Sequence, residues 1–144
     1  MRLPEQKLWD DLRNSLGGGW FPRRIEDKLG GGLPDLSFTG RKRRCAWMEL
    51  KVLPNLPAEG GIRKFDIAHF SAEQRGFGLE ISRHGGQSAW WLMTRVGPID
   101  HLHRANVIDM LGEVNYTTFR KRAVWFGDVT KPAAAQVILN ILFT

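Results

Sequence analysis

The sequence predicts a mixed α/β domain in which helices flank a mixed central sheet, and three observations predict it. Residues 4–16 carry apolar side chains at helical spacing. Three β-favouring segments, parted by glycine-rich and basic turns, come next, and a helix start at Ser71 then leads into a tryptophan-rich strand. The order helix, strand, strand, strand, helix, strand suits a meander followed by a helical crossover. The chain has 144 residues, 42% of them hydrophobic and 25% charged, which is enough for one buried core and too little for two. We therefore expect a single domain over residues 1–144, with a core at about 4–96 and a C-terminal elaboration at about 97–144.

The elements follow in order. In residues 4–16, Leu8, Trp9, Leu12 and Leu16 share one helical face, and Gly17, Gly18 and Gly19 end the helix. Residues 20–27 and 33–39 form two strands joined through Gly30, Gly31 and Gly32. Residues 45–53 form a third, largely buried strand, which Pro54 and Pro57 stop. Residues 55–65 are a loop. A second helix covers 71–83, with Ser71 and Gln74 as a capping box and Gly76 and Gly78 weakening it. The fourth strand spans 88–96. Beyond it we expect a short strand at 99–102, a short helix at 104–111, and a last helix over Pro132–Leu142 with proline in its first turn.

Composition narrows the function. Six tryptophans and eight phenylalanines exclude a disordered chain, and no apolar run approaches the ~20 residues that span a bilayer. With no signal-peptide pattern at Met1-Arg2-Leu3-Pro4, we expect a cytoplasmic protein without membrane association. The single cysteine, Cys45, rules out an internal disulfide and a thiolate zinc cluster; it is expected to pack within the third strand. The net charge of +6 favours a polyanionic partner. The excess sits in clusters: Arg23 and Arg24, Arg41 to Arg44, Arg63 and Lys64, and Arg120 to Arg122.

The third strand carries the chemistry. Side chains alternate along a strand, so Glu49 and Lys51 share one face while Met48, Leu50 and Val52 take the other. Charges in a strand otherwise made of tryptophan, methionine, leucine and valine are costly unless they have partners. Asp35, from the neighbouring strand, supplies a second carboxylate. Two converging carboxylates suit Mg²⁺, which takes few protein oxygens and keeps several waters, and a lysine beside them can orient water. The tandem glycines lack the pattern of a phosphate loop and read as turns. His101 and His103 share a strand face without further ligands, so a surface or structural role is expected. Residues 133–143 are apolar enough for either core or a dimer contact.

The sequence Gly32-Leu33-Pro34-Asp35, 13 intervening residues, then Glu49-Leu50-Lys51 resembles the PD-(D/E)xK nuclease superfamily, whose core has a restriction-endonuclease-like αβββαβ order. With Arg24-Ile25-Glu26, Trp47-Met48 and Ser71-x-x-Gln74 added, the pattern is most similar to the virus-type replication-repair nucleases (VRR-NUC) and Holliday junction resolvase-like enzymes, over residues 4–96. The resemblance implies that Asp35, Glu49 and the carbonyl of Leu50 bind Mg²⁺, with Mn²⁺ a substitute, that Lys51 positions the attacking water, and that Gln74 packs beside the lysine. A Gln74 engaged in the capping box is not expected to do both at once. Superfamily members often add an acid from the first helix. Here Glu5 is centred on the apolar arc and is favoured over Glu26 as a second-metal ligand or site organiser.

Arg23, Arg24, Arg41, Lys42, Arg43, Arg44, Arg63 and Lys64 are expected to hold phosphates without reading bases. The resemblance implies an Mg²⁺-dependent endonuclease acting on branched DNA as a homodimer; small size and lack of accessory domains suit phage or mobile-element recombination, in the host cytoplasm if phage-encoded. Two alternatives stay open. One is a noncatalytic DNA-binding accessory on the same fold; the other is a nuclease of plain duplex or single-stranded DNA.

Overall fold

A computed structural model describes residues 3–25, 32–40, 45–55, 71–111 and 114–144. Helix α1 (Leu3–Leu16) is followed by a tight turn at Gly17–Gly19 and strands β1 (Phe21–Arg24), β2 (Leu36–Thr39) and β3 (Ala46–Leu53). Then come α2 (Ala72–Gly85), β4 (Trp90–Val96), β5 (Ile99–Arg104), a 3-10 segment at Ala105–Met110, α3 (Tyr116–Arg122), β6 (Trp125–Gly127) and α4 (Pro132–Leu142). The six strands form one sheet in chain order, β1 to β6. All neighbours are antiparallel except β3 and β4, which run parallel because α2 lies in the connection between them.

The sheet is covered on both faces, and strand alternation decides which residues go where. Leu36, Phe38, Met48, Leu50, Trp91 and Met93 point to one face, where Leu8, Leu12 and Leu16 of α1 and Ala134, Ile138 and Leu142 of α4 pack on them. Trp90, Leu92 and Val96 point to the other face, under Val107, Ile108 and Phe119, with Phe77 and Ile81 of α2 at the margin. Each such aliphatic or aromatic side chain, fully buried, contributes about 1.5–3 kcal/mol. A part-buried ion-pair network ties α1 to the sheet. Arg95 on β4 donates to Asp100 on β5 at 2.6 and 3.2 Å and to Asp11 on α1 at 2.9 Å, and Asp100 also accepts the Val129 N–H at 3.0 Å.

Several sequence expectations need correction. Residues 105–110 wind as a 3-10 segment, and α3 and β6 are further elements that the sequence reading did not contain. Helix α2 runs on past Arg83 to Gly85. Gly78 is where the helix meets the sheet: a Cβ there would lie 2.5 Å from Ile108 Cδ1 and 3.1 Å from Trp90 Cε2, so only glycine allows this approach. Cys45 precedes β3 and is exposed, because the strand's inward alternation begins at Ala46. The C-terminal helix is core on its Ala134, Ile138 and Leu142 face and leaves Val137 exposed. No helix among the described residues is long and apolar enough to cross a membrane.

Candidate active site

The registered pairing of β2 with β3 runs from Phe38 opposite Ala46 to Leu36 opposite Met48 and stops there. Beyond it, the β2-side edge of β3 has no strand partner among the described residues. Asp35 fills the gap: its Oδ2 accepts the Leu50 N–H at 2.7 Å, a carboxylate standing in for a ladder carbonyl. Within a strand the N–H and C=O of one residue point to the same side, so the Leu50 carbonyl faces the edge where Asp35 lies. Asp35 is itself held from the other side, where its main-chain carbonyl accepts the Ile25 N–H at 2.8 Å.

Register places Ser37 opposite Trp47, so the odd-numbered residues of β3 face α2 together with Ser37 and Asp35. Glu49 and Lys51 on that face are 3% and 7% exposed. Two ionisable groups this deep need partners. Gln74, in the first turn of α2, supplies them: its Nε2 donates to Glu49 Oε1 at 3.0 Å, and its Oε1 accepts from Lys51 Nζ at 3.2 Å. The Lys51 ammonium also lies 3.9 Å from Glu49 Oε1.

Gln74 is fixed by the end of its own helix. Its Oε1 accepts the Ser71 N–H at 2.9 Å while the Gln74 N–H donates to Ser71 Oγ at 3.1 Å, a complete capping box. The expectation that the capping and site roles exclude one another is therefore wrong. A carbonyl oxygen has two lone pairs, and the amide nitrogen is left over for Glu49. Helix capping and side-chain placement are one arrangement.

Gly32 brings the two halves together. Its φ is +81°, and a Cβ there would lie 2.5 Å from the Glu73 carbonyl carbon, so the chain leading to Asp35 presses on the first turn of α2.

The electrostatics of the cluster are unbalanced. The Glu49 carboxyl is pushed up to about 10, first by burial and then by the Asp35 charge; Lys51 opposes the shift, while a hydrogen bond to Asp35 and the charge of Glu5 add to it. Glu5, half-buried on α1, is thus within electrostatic reach of Glu49. Among the described residues, however, no three His, Cys, Asp or Glu side chains converge as one metal-holding group. The donor set at hand is two carboxylates and a main-chain carbonyl, all oxygen.

The structure thus brings Asp35, Glu49, Leu50, Lys51 and Gln74 together, with Glu5 nearby. Arg23 and Arg24 part company. Arg23 opposes Ser37 and so lies on the site face, whereas Arg24 opposes Leu36 and donates to Gln6 Oε1 of α1 at 2.9 Å on the other face. Glu26, Arg41, Lys42, Arg43, Arg44, Arg63 and Lys64 lie outside the described residues. His101 and His103 are buried: His101 Nε2 lies 2.8 Å from the Tyr116 hydroxyl and His103 Nε2 lies 2.7 Å from the Phe119 carbonyl. Burial lowers both, His103 to about 4, so they pack as neutral rings. Sequence reasoning missed Gly32 as the contact with α2, although a glycine two residues before Pro34-Asp35 was a signal for it.

No family model matches the chain, and no solved structure matches it. Over 52 residues it is 42% identical to the adenylosuccinate synthetase of Xylella fastidiosa strain M12 and 40% identical to that of Stenotrophomonas maltophilia strain R551-3. The synthetase of Xanthomonas campestris pv. campestris strain B100 is likewise 40% identical. Each match covers 33% of this chain, and the chain spans 12% of the length of these curated relatives. A shared segment of that size does not carry the synthetase activity to this chain.

Proposed function

We propose that this chain is an Mg²⁺-dependent endonuclease of the PD-(D/E)xK type, hydrolysing phosphodiester bonds in branched DNA as a homodimer. One observation carries the reading. Asp35 and Glu49 meet in a buried cluster with Lys51 and Gln74, and Glu49 is held protonated by its burial and by Asp35. A site that keeps a proton at neutral pH on one of two adjoining acids is short of positive charge, and a divalent cation relieves that shortage. The all-oxygen donors suit Mg²⁺, which favours one or two carboxylates and retained waters; among the described residues the cluster has no thiolate or imidazole of the kind zinc prefers.

Asp35 and Glu49 would hold the cation, with the Leu50 carbonyl on the same edge. When bound, the cation supplies Lewis-acid polarisation of the phosphate and acidifies a water. Lys51 acts from the protein side. Gln74 fixes its ammonium, which then offers protons to a water or to a phosphoryl oxygen as charge develops there. Burial strengthens each of these interactions by keeping bulk water away. Arg23, on the same face, supplies a phosphate contact that positions the strand.

The test is cleavage of a four-way junction, a flap, a duplex and a single strand with Mg²⁺ or Mn²⁺, together with binding. Asp35→Asn, Glu49→Gln and Lys51→Ala are each expected to abolish metal-dependent cleavage and to leave junction binding largely intact. Cleavage retained in all three variants refutes the assignment. Salt-dependent binding without turnover by the wild type makes the chain a noncatalytic DNA-binding module instead.

A further inference from the structure

We propose that Phe21 is a stacking platform for an unpaired base next to the site, so that the preferred substrate is DNA with single-stranded character beside the scissile bond. The proposal rests on the nuclease reading for what lies in the site; its own basis is the sheet face alongside.

Register gives the position. Phe21 opposes Thr39 and Arg23 opposes Ser37, so both share the face of Ser37, Trp47, Glu49 and Lys51. Helix α2 covers that face over β3 and β4, where Trp47 packs edge-on against Phe77. Over β1 no described element covers the same face. Phe21 is 66% exposed, the most exposed large apolar side chain among the described residues, and Arg23 is exposed beside it with no carboxylate among the described residues paired to it. From Ile25, whose main chain bonds to Asp35, Phe21 stands four residues back along the strand, about 13 Å at ~3.3 Å per residue. A strand of nucleic acid with a phosphate at Asp35 and Glu49 would therefore pass Arg23 and reach Phe21 within a few nucleotides.

A single exposed phenylalanine means nothing by itself. What distinguishes Phe21 is how firmly the ring is presented. Trp20, its neighbour, is buried against Trp9 and Phe38 on the opposite face, which anchors the start of β1 and turns Phe21 outward.

The occupant follows from charge and from the edge. Arg23, exposed and without a carboxylate partner among the described residues, favours a polyanion. The alternative, another chain adding a strand to the open edge of β1, meets Pro22. The Ile25 N–H points to β2, so alternation turns the outward position to residue 22, where proline has no N–H to donate. A ring that every base can cover, next to an arginine that holds phosphate, fits an unpaired strand; a closed duplex keeps its base faces stacked and out of reach.

The test uses the full chain in EDTA, so that binding is read apart from cleavage. Labelled probes of one sequence are compared by anisotropy: a single strand, a splayed fork and a hairpin-closed duplex. Phe21→Ala is expected to weaken the single strand and the fork roughly 5- to 100-fold and the closed duplex less than about 2-fold. Phe21→Trp should retain wild-type binding. Arg23→Gln should weaken all three alike and lower the salt slope by about one. With 2-aminopurine in the single strand, quenching on binding should be present in the wild type and absent in Phe21→Ala.

Equal effects of Phe21→Ala on all three probes, or none, overturn the proposal. The nuclease reading fails separately. If the wild type cuts nothing with Mg²⁺ while Phe21→Ala still loses unpaired DNA selectively, the platform stands and the nuclease does not. If the wild type cuts and Phe21→Ala binds the fork and the single strand normally, the nuclease stands and the platform does not.

Discussion

Glu49→Gln should remove a pH dependence of stability that the wild-type chain carries whenever no metal is bound. The folded state holds the Glu49 proton up to about 10, whereas the unfolded chain releases it near 4.5. Between those values the native state binds one more proton than the unfolded state, so stability falls as pH rises. The slope is that of one proton, and from pH 7 to pH 9 the loss is about 3 kcal/mol. The buried histidines add little over most of that window, because both states are largely neutral well above the ordinary value of 6.5.

The assay is urea unfolding followed by tryptophan fluorescence in EDTA at pH 7, 8 and 9, for the wild type and for Glu49→Gln. Glutamine cannot ionise, so the variant should be flat over this range and more stable than the wild type at pH 9. Mg²⁺ should also flatten the wild-type slope by displacing the proton. A wild-type slope near zero, or an equal slope in Glu49→Gln, would refute the argument that Glu49 stays protonated beside Asp35.

Three further outcomes follow from packing and burial. His103, lowered to about 4 by burial, should favour folding fully above about 6.5 and lose that contribution as pH falls; the stability difference between wild type and His103→Leu should shrink by up to about 3 kcal/mol from pH 7 to pH 4 in urea titrations. Gly76→Ala and Gly78→Ala should shift thermal stability in opposite directions. At Gly76 a Cβ meets nothing within 4 Å, and helix propensity adds roughly 0.5–1 kcal/mol; at Gly78 it meets Ile108 and Trp90, and overpacking costs about 1–3 kcal/mol. Gly32→Ala, strained by its φ of +81° and by contact with Glu73, should cost about 1–3 kcal/mol by calorimetry and lower cleavage beyond what the stability loss explains, because it parts Asp35 from Gln74.

The order of elements through β4 was legible because each had a local signal. Helix α1 carried its apolar residues at Leu8, Trp9, Leu12 and Leu16, and every one of them is buried. Strand β3 was a nearly unbroken apolar run, as a strand covered on both faces must be. Beyond β5 those signals fade. Strand β6 is three residues long, and its pairing partner His101 opposite Phe126 lies 25 positions earlier in the chain, so only a long-range contact defines it. Helix α3 is held by a cap at Asn115 and by burial of Tyr116 and Phe119 beside two histidines, which a polar sequence of seven residues does not announce.

For the site, alternation was enough to put Glu49 and Lys51 on one face, and spacing was enough to bring in Asp35. It was not enough to say how the charges are held. That depends on which way the amide of Gln74 is turned, and Ser71 settles it: once the Gln74 oxygen takes the Ser71 N–H, the same oxygen can accept only from a donor such as Lys51, and the nitrogen must face an acceptor such as Glu49. The first turn of α2 therefore dictates the polarity of the cluster from outside it. Replacing Ser71 by alanine would remove the hydroxyl from the capping box yet leave the Ser71 N–H to hold Gln74, whereas Gln74→Glu would set a third carboxylate against Glu49 at the position of the donating amide. The second change strikes the charge balance and the first only the helix end, which separates the two roles that one side chain performs together.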